Sequence, residues 1–155
     1  FIDRQLAGAW GAGADLYRSG PWQTGKPEQG YQLPFTPAEL FRNALRSITD
    51  DLRKSEGGSF GKLKPEDQDA YLGALESESR DLGGVPSNIF FESLLEMTIE
   101  GFFSDPVYGG NKDMVGWKLI GYPGAQRNYT PDDIKNPNFT REPQSLAQLM
   151  ANEGH

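Results

Sequence analysis

The chain has 155 residues, a net charge of −7, a mean hydropathy of −0.62 and no cysteine. That length suits one domain with a genuine core, and the missing cysteines exclude disulfides, thiolate nucleophiles and Cys-ligated metal or iron–sulfur sites. The acidic balance, without any run of Lys or Arg, excludes the basic footprint of a nucleic-acid binder and disfavours direct contact with an anionic membrane.

Nineteen Gly and eleven Pro imply much irregular backbone, whose polar groups need side chains, water or another chain as partners. Three Trp, nine Phe and six Tyr argue against disorder. No apolar stretch approaches the ~20 residues of a spanning helix. The expected fold is mainly α: a small irregular helical domain of about four helices with a long, mostly non-regular C-terminal segment. A single domain is expected over 1–155, helical to about 103 and irregular over 104–155. The chain opens without Met in an amphipathic segment, as expected where a leader has been removed.

The first predicted helix covers Ile2–Tyr17, with Ile2, Leu6, Ala9, Trp10, Leu16 and Tyr17 on one face. Gly8, Gly11 and Gly13 weaken it by roughly 1 kcal/mol each, and Gly20-Pro21 stops it. The second starts at Thr36-Pro37-Ala38-Glu39, a capping box with Pro at the first helical position. Leu40, Phe41, Ala44, Leu45, Ile48 and Leu52 form its apolar arc, opposite Arg42, Arg46, Asp50 and Arg53, and Gly57-Gly58 closes the region. A third runs from Pro65 to about Ser79 with Tyr71, Leu72 and Leu75 inward. The fourth, Asn88–Phe103, is apolar nearly all round except for Glu92, Glu96 and Glu100, so burial on several sides is expected. Beyond Phe103 the only regular feature expected is a short turn near Ser145–Ala151.

Catalytic groups are scarce. Triad and dyad chemistry needs an imidazole, and the one histidine, His155, is the last residue, where a frayed and exposed end is expected. Asp105 and Asp113 flank a glycine-rich turn and offer oxygen ligands to Ca²⁺; the plainer reading is that Asp105 caps a turn before Pro106. Asp50/Asp51, Asp132/Asp133 and the Glu92/Glu96/Glu100 stripe are paired carboxylates, read first as solvated faces or partners for another chain's Arg. Gly8-Ala9-Trp10-Gly11-Ala12-Gly13 follows no strand and fails as a dinucleotide fingerprint, and Gly109-Gly110-Asn111-Lys112 lacks P-loop spacing. Asn128-Tyr129-Thr130 and Asn138-Phe139-Thr140 match the glycosylation sequon, which matters only in a eukaryotic secretory chain.

The dense segment is Glu100-Gly101-Phe102-Phe103-Ser104-Asp105-Pro106-Val107-Tyr108-Gly109-Gly110-Asn111-Lys112-Asp113-Met114-Val115-Gly116-Trp117-Lys118-Leu119-Ile120-Gly121-Tyr122-Pro123-Gly124. It resembles the hallmark stretch of the gluconate 2-dehydrogenase subunit 3 family. The resemblance extends to Ile2-Asp3-Arg4-Gln5-Leu6-Ala7-Gly8, Tyr17, Gly20-Pro21, Gln29-Gly30-Tyr31-Gln32-Leu33 and Thr36-Pro37-Ala38-Glu39-Leu40, and so covers most of 1–124. It implies the small, or gamma, subunit of a bacterial membrane-associated dehydrogenase. Its partners would be a large FAD subunit, typically oxidising D-gluconate to 2-keto-D-gluconate, and a multihaem cytochrome c. The FAD and haem c would sit in those partners, with no cofactor in this chain. The resemblance also implies periplasmic placement, twin-arginine export and a chaperone-like role for this chain.

The residue types agree with a docking role: Phe102, Phe103, Tyr108, Trp117 and Tyr122 are interface anchors, with Asn111, Lys112 and Asp113 positioning the loop. The competing reading folds this segment back onto the chain's own helices as core, and both can hold for different residues. Two further hypotheses stand beside the assembly role. In one, Tyr108, Asn111 or Lys112 reaches the substrate pocket of a related glucose, aldose or polyol dehydrogenase; in the other, the chain is an independent carbohydrate-binding module.

Overall fold

The computed structural model describes residues 1–23, 25–26, 29, 32–55 and 58–152. Gly30, Tyr31, Gly57 and His155, named above, lie outside the described residues. Seven α-helices form among the described residues, and no strand does. The protein is mainly α. Two compact units are present, one of residues 5–95 and one of residues 1–4 with 96–155. None of the described helices is long and apolar enough to cross a membrane.

The first unit is built on α2 (Pro37–Lys54), whose start follows from its sequence. Thr36 accepts from the Glu39 amide at 3.2 Å, and the Glu39 carboxylate accepts from the Thr36 amide at 2.8 Å. Leu40, Phe41, Ala44, Ile48 and Leu52 of α2 are buried, with Leu75 of α3 (Pro65–Ser77) and Phe90 of α4 (Ser87–Phe103). Phe41 and Phe90 meet edge to face at 5.4 Å. Each such ring contributes about 1.5–3 kcal/mol by leaving water. Leu45, expected on the inward arc, is instead half exposed. Tyr71 and Leu72 of α3 are only half-buried.

Between α3 and α4 a tight turn inserts Leu82 and Val85 into this core. Gly83 and Gly84 take positive φ there, and the Gly84 amide donates to Asp81. Ser87 closes the turn from inside: its hydroxyl donates to the Glu78 carbonyl at 2.9 Å and accepts from the Arg80 amide at 3.1 Å.

The first helix is much shorter than the periodicity suggests. It is α1 (Ile2–Ala7), not a helix to Tyr17. The glycines decide this. Gly11 lies so close to the Leu6 carbonyl that no Cβ would fit, and its amide and that of Gly8 both donate to the Gln5 carbonyl. The chain then leaves in turns through Gly13, at φ +74, which packs on the Thr36 methyl. The Gly11 carbonyl accepts from the Ala38 amide at 3.0 Å, satisfying a donor in the first turn of α2. Tyr17, expected on the buried face, is 84% exposed.

The second unit contains the last turns of α4, then α5 (Val115–Ile120), α6 (Pro131–Lys135) and α7 (Leu146–Ala151). The last matches the expected turn near Ser145–Ala151; α5 and α6 were not expected. Both α6 and α7 begin in capping boxes, at Thr130 with Asp133 and at Ser145 with Gln148. Arg141 binds Asp133 at 3.0 Å and lies over the rings of Tyr129 and Phe139, holding the α6 region together.

Candidate protein-docking surface

A helix ends with four carbonyls that lack intrahelical partners. In α4 two of those carbonyls, and that of Ser104 just beyond, are met by the segment that follows, which folds back over them. The Gly101 carbonyl accepts from the Asn111 amide at 2.8 Å and from the Ser104 hydroxyl at 3.1 Å. The Phe103 carbonyl accepts from the Trp117 indole at 2.7 Å. The Ser104 carbonyl accepts from the Asn111 side-chain amide at 3.0 Å, and the other end of that amide accepts from the Gly116 N–H at 2.8 Å.

So close a return requires glycine at defined points. A Cβ at Gly110 would overlap the Gly101 carbonyl, and one at Gly116 would overlap the Phe102 carbonyl. Phe1 packs on Gly101, leaving no space for a side chain there. Asn111 (φ 42), Asp113 (φ 56) and Met114 (φ 56) are the non-glycine residues at positive φ among the described residues. Such backbone costs about 1–2 kcal/mol per residue, least for Asn and Asp, and persists because the bonds around it over-determine it.

Asp105 ties the tail to this knot. One carboxylate oxygen accepts from the Val107 amide at 3.0 Å and the other from the Leu146 amide at 2.8 Å, where α7 begins. The turn-capping role expected of Asp105 is thus present, while Asp113 is exposed. Among the described residues no cluster of three His, Cys, Asp or Glu is placed to hold a metal. Further on, Gly124 lies under the Trp117 ring and against the Gln144 carbonyl, and it bridges Gln144: the Ala125 amide donates to the Gln144 carbonyl at 2.7 Å and the Gln144 amide to the Pro123 carbonyl at 3.1 Å.

The eight expected interface residues therefore divide. Trp117 is 5% exposed and Asn111 is 6% exposed. Both are turned into the unit, because their polar groups are the partners that the end of α4 needs. Trp117 meets Tyr122 edge to face at 5.2 Å, with Tyr122 itself half exposed. Phe102, Phe103 and Tyr108 are also exposed, as are Lys112 and Asp113 in the positive-φ loop. Glu92, Glu96 and Glu100 are exposed along α4.

The outer face of α5 presents apolar residues that composition alone did not single out. Val115 is 53% exposed, Leu119 73% and Ile120 59%, with Gly116 and Trp117 facing inward between them. For Val115 and Leu119 the available signal was their spacing, since residues four apart share a helix face; Ile120, four from the buried Gly116, is exposed where the helix ends. Lys112 and Lys118 flank them. A rigidly mounted apolar face with a polar rim is the anatomy of a protein contact.

Residues 1–124 match the sequence model of the family described as Gluconate 2-dehydrogenase subunit 3. The chain belongs to this family. No curated protein and no solved structure matches it. The matched region closes at Gly124, the residue under the Trp117 ring. In this member of the gluconate 2-dehydrogenase subunit 3 family, the hallmark stretch is thus first of all the structure that terminates α4, and secondarily the mount for an exposed apolar face.

Proposed function

We propose that this chain is the non-catalytic small subunit of a heterotrimeric flavoprotein–cytochrome c dehydrogenase of the gluconate 2-dehydrogenase type. In this reading the large subunit carries FAD and oxidises D-gluconate to 2-keto-D-gluconate, and a multihaem cytochrome c accepts the electrons. The small subunit binds the large one directly and makes the lesser contact with the cytochrome. It escorts the flavoprotein through twin-arginine export, supports its maturation and stabilises it at the periplasmic face of the inner membrane.

One observation carries the docking part of this reading: Val115, Leu119 and Ile120 stand outward on a helix whose inner face is locked by Trp117 and Gly116. Each is between half and three-quarters exposed, so covering the remainder with a partner surface would recover about 1–2 kcal/mol per side chain. Family membership supplies the multi-subunit dehydrogenase setting.

Leu119→Glu tests it. The site is exposed, so the isolated chain should keep its helical content and thermal midpoint. Co-purification with the flavoprotein subunit, and the yield of FAD-loaded large subunit, should fall at least ~10-fold, because a charge would be buried without a partner. The control is Ile134→Glu, equally exposed on α6 but beyond the family match, which should leave assembly unchanged. Undiminished assembly of Leu119→Glu would refute α5 as the docking face.

A further inference from the structure

The first few residues of a domain are usually poorly ordered unless something ties them down. Here residues 1–4 belong to the same compact unit as residues 96–155. The Phe1 nitrogen donates to the Gly109 carbonyl at 3.0 Å, across 108 positions of sequence. The Phe1 ring lies on Gly101, where an added Cβ would come within 2.9 Å of it. The Arg4 side chain lies along Gly109, and its Cδ and guanidinium would meet a Cβ there at 3.0 to 3.1 Å. The segment thus holds both ends of the loop that leaves α4 and returns to it.

These contacts fall on the residues that carry the knot. The Gly101 carbonyl accepts from the Asn111 amide at 2.8 Å, and the Asn111 side chain accepts from the Gly116 amide, in α5, at 2.8 Å. Gly109 directly precedes Gly110, which approaches the Gly101 carbonyl too closely for a Cβ. Asn111, Asp113 and Met114 hold positive φ just beyond, a conformation that persists only while surrounding contacts over-determine it. Gly101 is itself informative. It stands in the last turn of α4, where alanine would favour the helix, and the Phe1 ring supplies the reason for glycine.

We infer that residues Phe1–Arg4 are a clasp that holds the hallmark knot closed, and that α5 presents its apolar face only while the clasp is seated. The second half rests on the docking role proposed above for α5; the first half does not. The N-terminal segment is thereby a conformational control on a distant part of the sequence: whatever draws Phe1 off Gly101 loosens the frame behind α5.

The test is hydrogen exchange in the full 155-residue chain, read at the Asn111 and Gly116 amides and the Trp117 indole. Phe1→Ala combined with Arg4→Ala should speed exchange at all three by at least ~10-fold, the size of one net hydrogen bond. Amides in the middle of α2 are the reference and should keep their rates. Gly101→Ala separates the clasp from helix propensity. Propensity alone calls for slower exchange, whereas the clasp calls for faster exchange, because the methyl displaces the Phe1 ring. In the Phe1→Ala background the methyl meets no ring, and Gly101→Ala should then leave exchange unchanged or slower. Rates indifferent to Phe1→Ala with Arg4→Ala, or slowed by Gly101→Ala in the otherwise unaltered chain, overturn the clasp. Loss of α2 protection in step with the knot also overturns it, since the clasp acts within its own unit. Co-purification of the same variants with the flavoprotein subunit should fall only where exchange shows the knot mostly open, because apparent affinity scales with the closed fraction. Lost co-purification with the knot still protected overturns the link between clasp and docking. Exchange that responds as expected while Leu119→Glu leaves assembly intact would refute α5 as the docking face and leave the clasp standing.

Discussion

Asn111→Ala is the most informative single change in the hallmark knot. The side chain donates to the Ser104 carbonyl at 3.0 Å and accepts from the Gly116 amide at 2.8 Å, in a residue 6% exposed. Removing it leaves a buried acceptor and a buried donor unpaired, at about 1–3 kcal/mol each. Alanine at φ 42 adds about 1 kcal/mol that asparagine largely escapes. The expected loss is about 3–7 kcal/mol, a large part of the ~5–15 kcal/mol that holds a domain together. Asn111→Asp keeps the acceptor for Gly116 but sets a carboxylate oxygen against the Ser104 carbonyl at a buried position, so near neutral pH it should cost at least as much as alanine. Asn111→Gly removes the backbone penalty but neither bond deficit, and should cost about 1 kcal/mol less than alanine. Urea unfolding by circular dichroism gives the totals. Hydrogen exchange at the Gly116 amide and the Trp117 indole shows whether the knot opens first. A loss below ~0.5 kcal/mol for Asn111→Ala, the range of ordinary surface changes, would refute the view that this residue terminates α4.

Ser87→Ala removes a donor to the Glu78 carbonyl and an acceptor for the Arg80 amide from a fully buried hydroxyl. A destabilisation of about 2–4 kcal/mol is expected in chemical unfolding, with Ser87→Thr tested beside it for overpacking. Glu39 supplies a pH-dependent term. Hydrogen bonds from the Thr36 backbone and side chain lower its pKa from the ordinary 4.5. A depressed carboxylate contributes stability that is fully present above its unfolded value and lost as pH falls through the folded one. Glu39→Gln, which retains the capping geometry, should therefore flatten the decline in thermal midpoint below about pH 4.5; an unchanged slope would show that Glu39 does not titrate in unfolding.

The parts of the fold written in local chemistry were legible in the sequence. Thr36-Pro37-Ala38-Glu39 set the start of α2, and Leu40, Phe41, Ala44, Ile48 and Leu52 named most of its buried face. The length of α1 was not legible, because periodicity cannot see that Gly11 must sit against the Leu6 carbonyl. Helix α5 is not legible for a related reason: six residues containing Gly116 have little intrinsic helicity, and α5 is held by Trp117 bonded to the end of α4. The capping box at Thr130 is the local signal for α6, as the one at Ser145 is for the expected turn that forms α7. For the candidate site, aromatic content could not sort inward from outward residues. Trp117 and Tyr122 look alike as anchors, and only the indole's bond to the Phe103 carbonyl separates them.

The glycines packed against carbonyls have an engineering corollary. Gly110 and Gly116 admit no side chain, whereas Val115, Leu119 and Ile120 are exposed and their aliphatic side chains make none of the hydrogen bonds that fix the knot. The motif is a socket with a replaceable faceplate. The outward positions of α5 can be changed without disturbing the hydrogen bonds and close glycine contacts of the frame behind them.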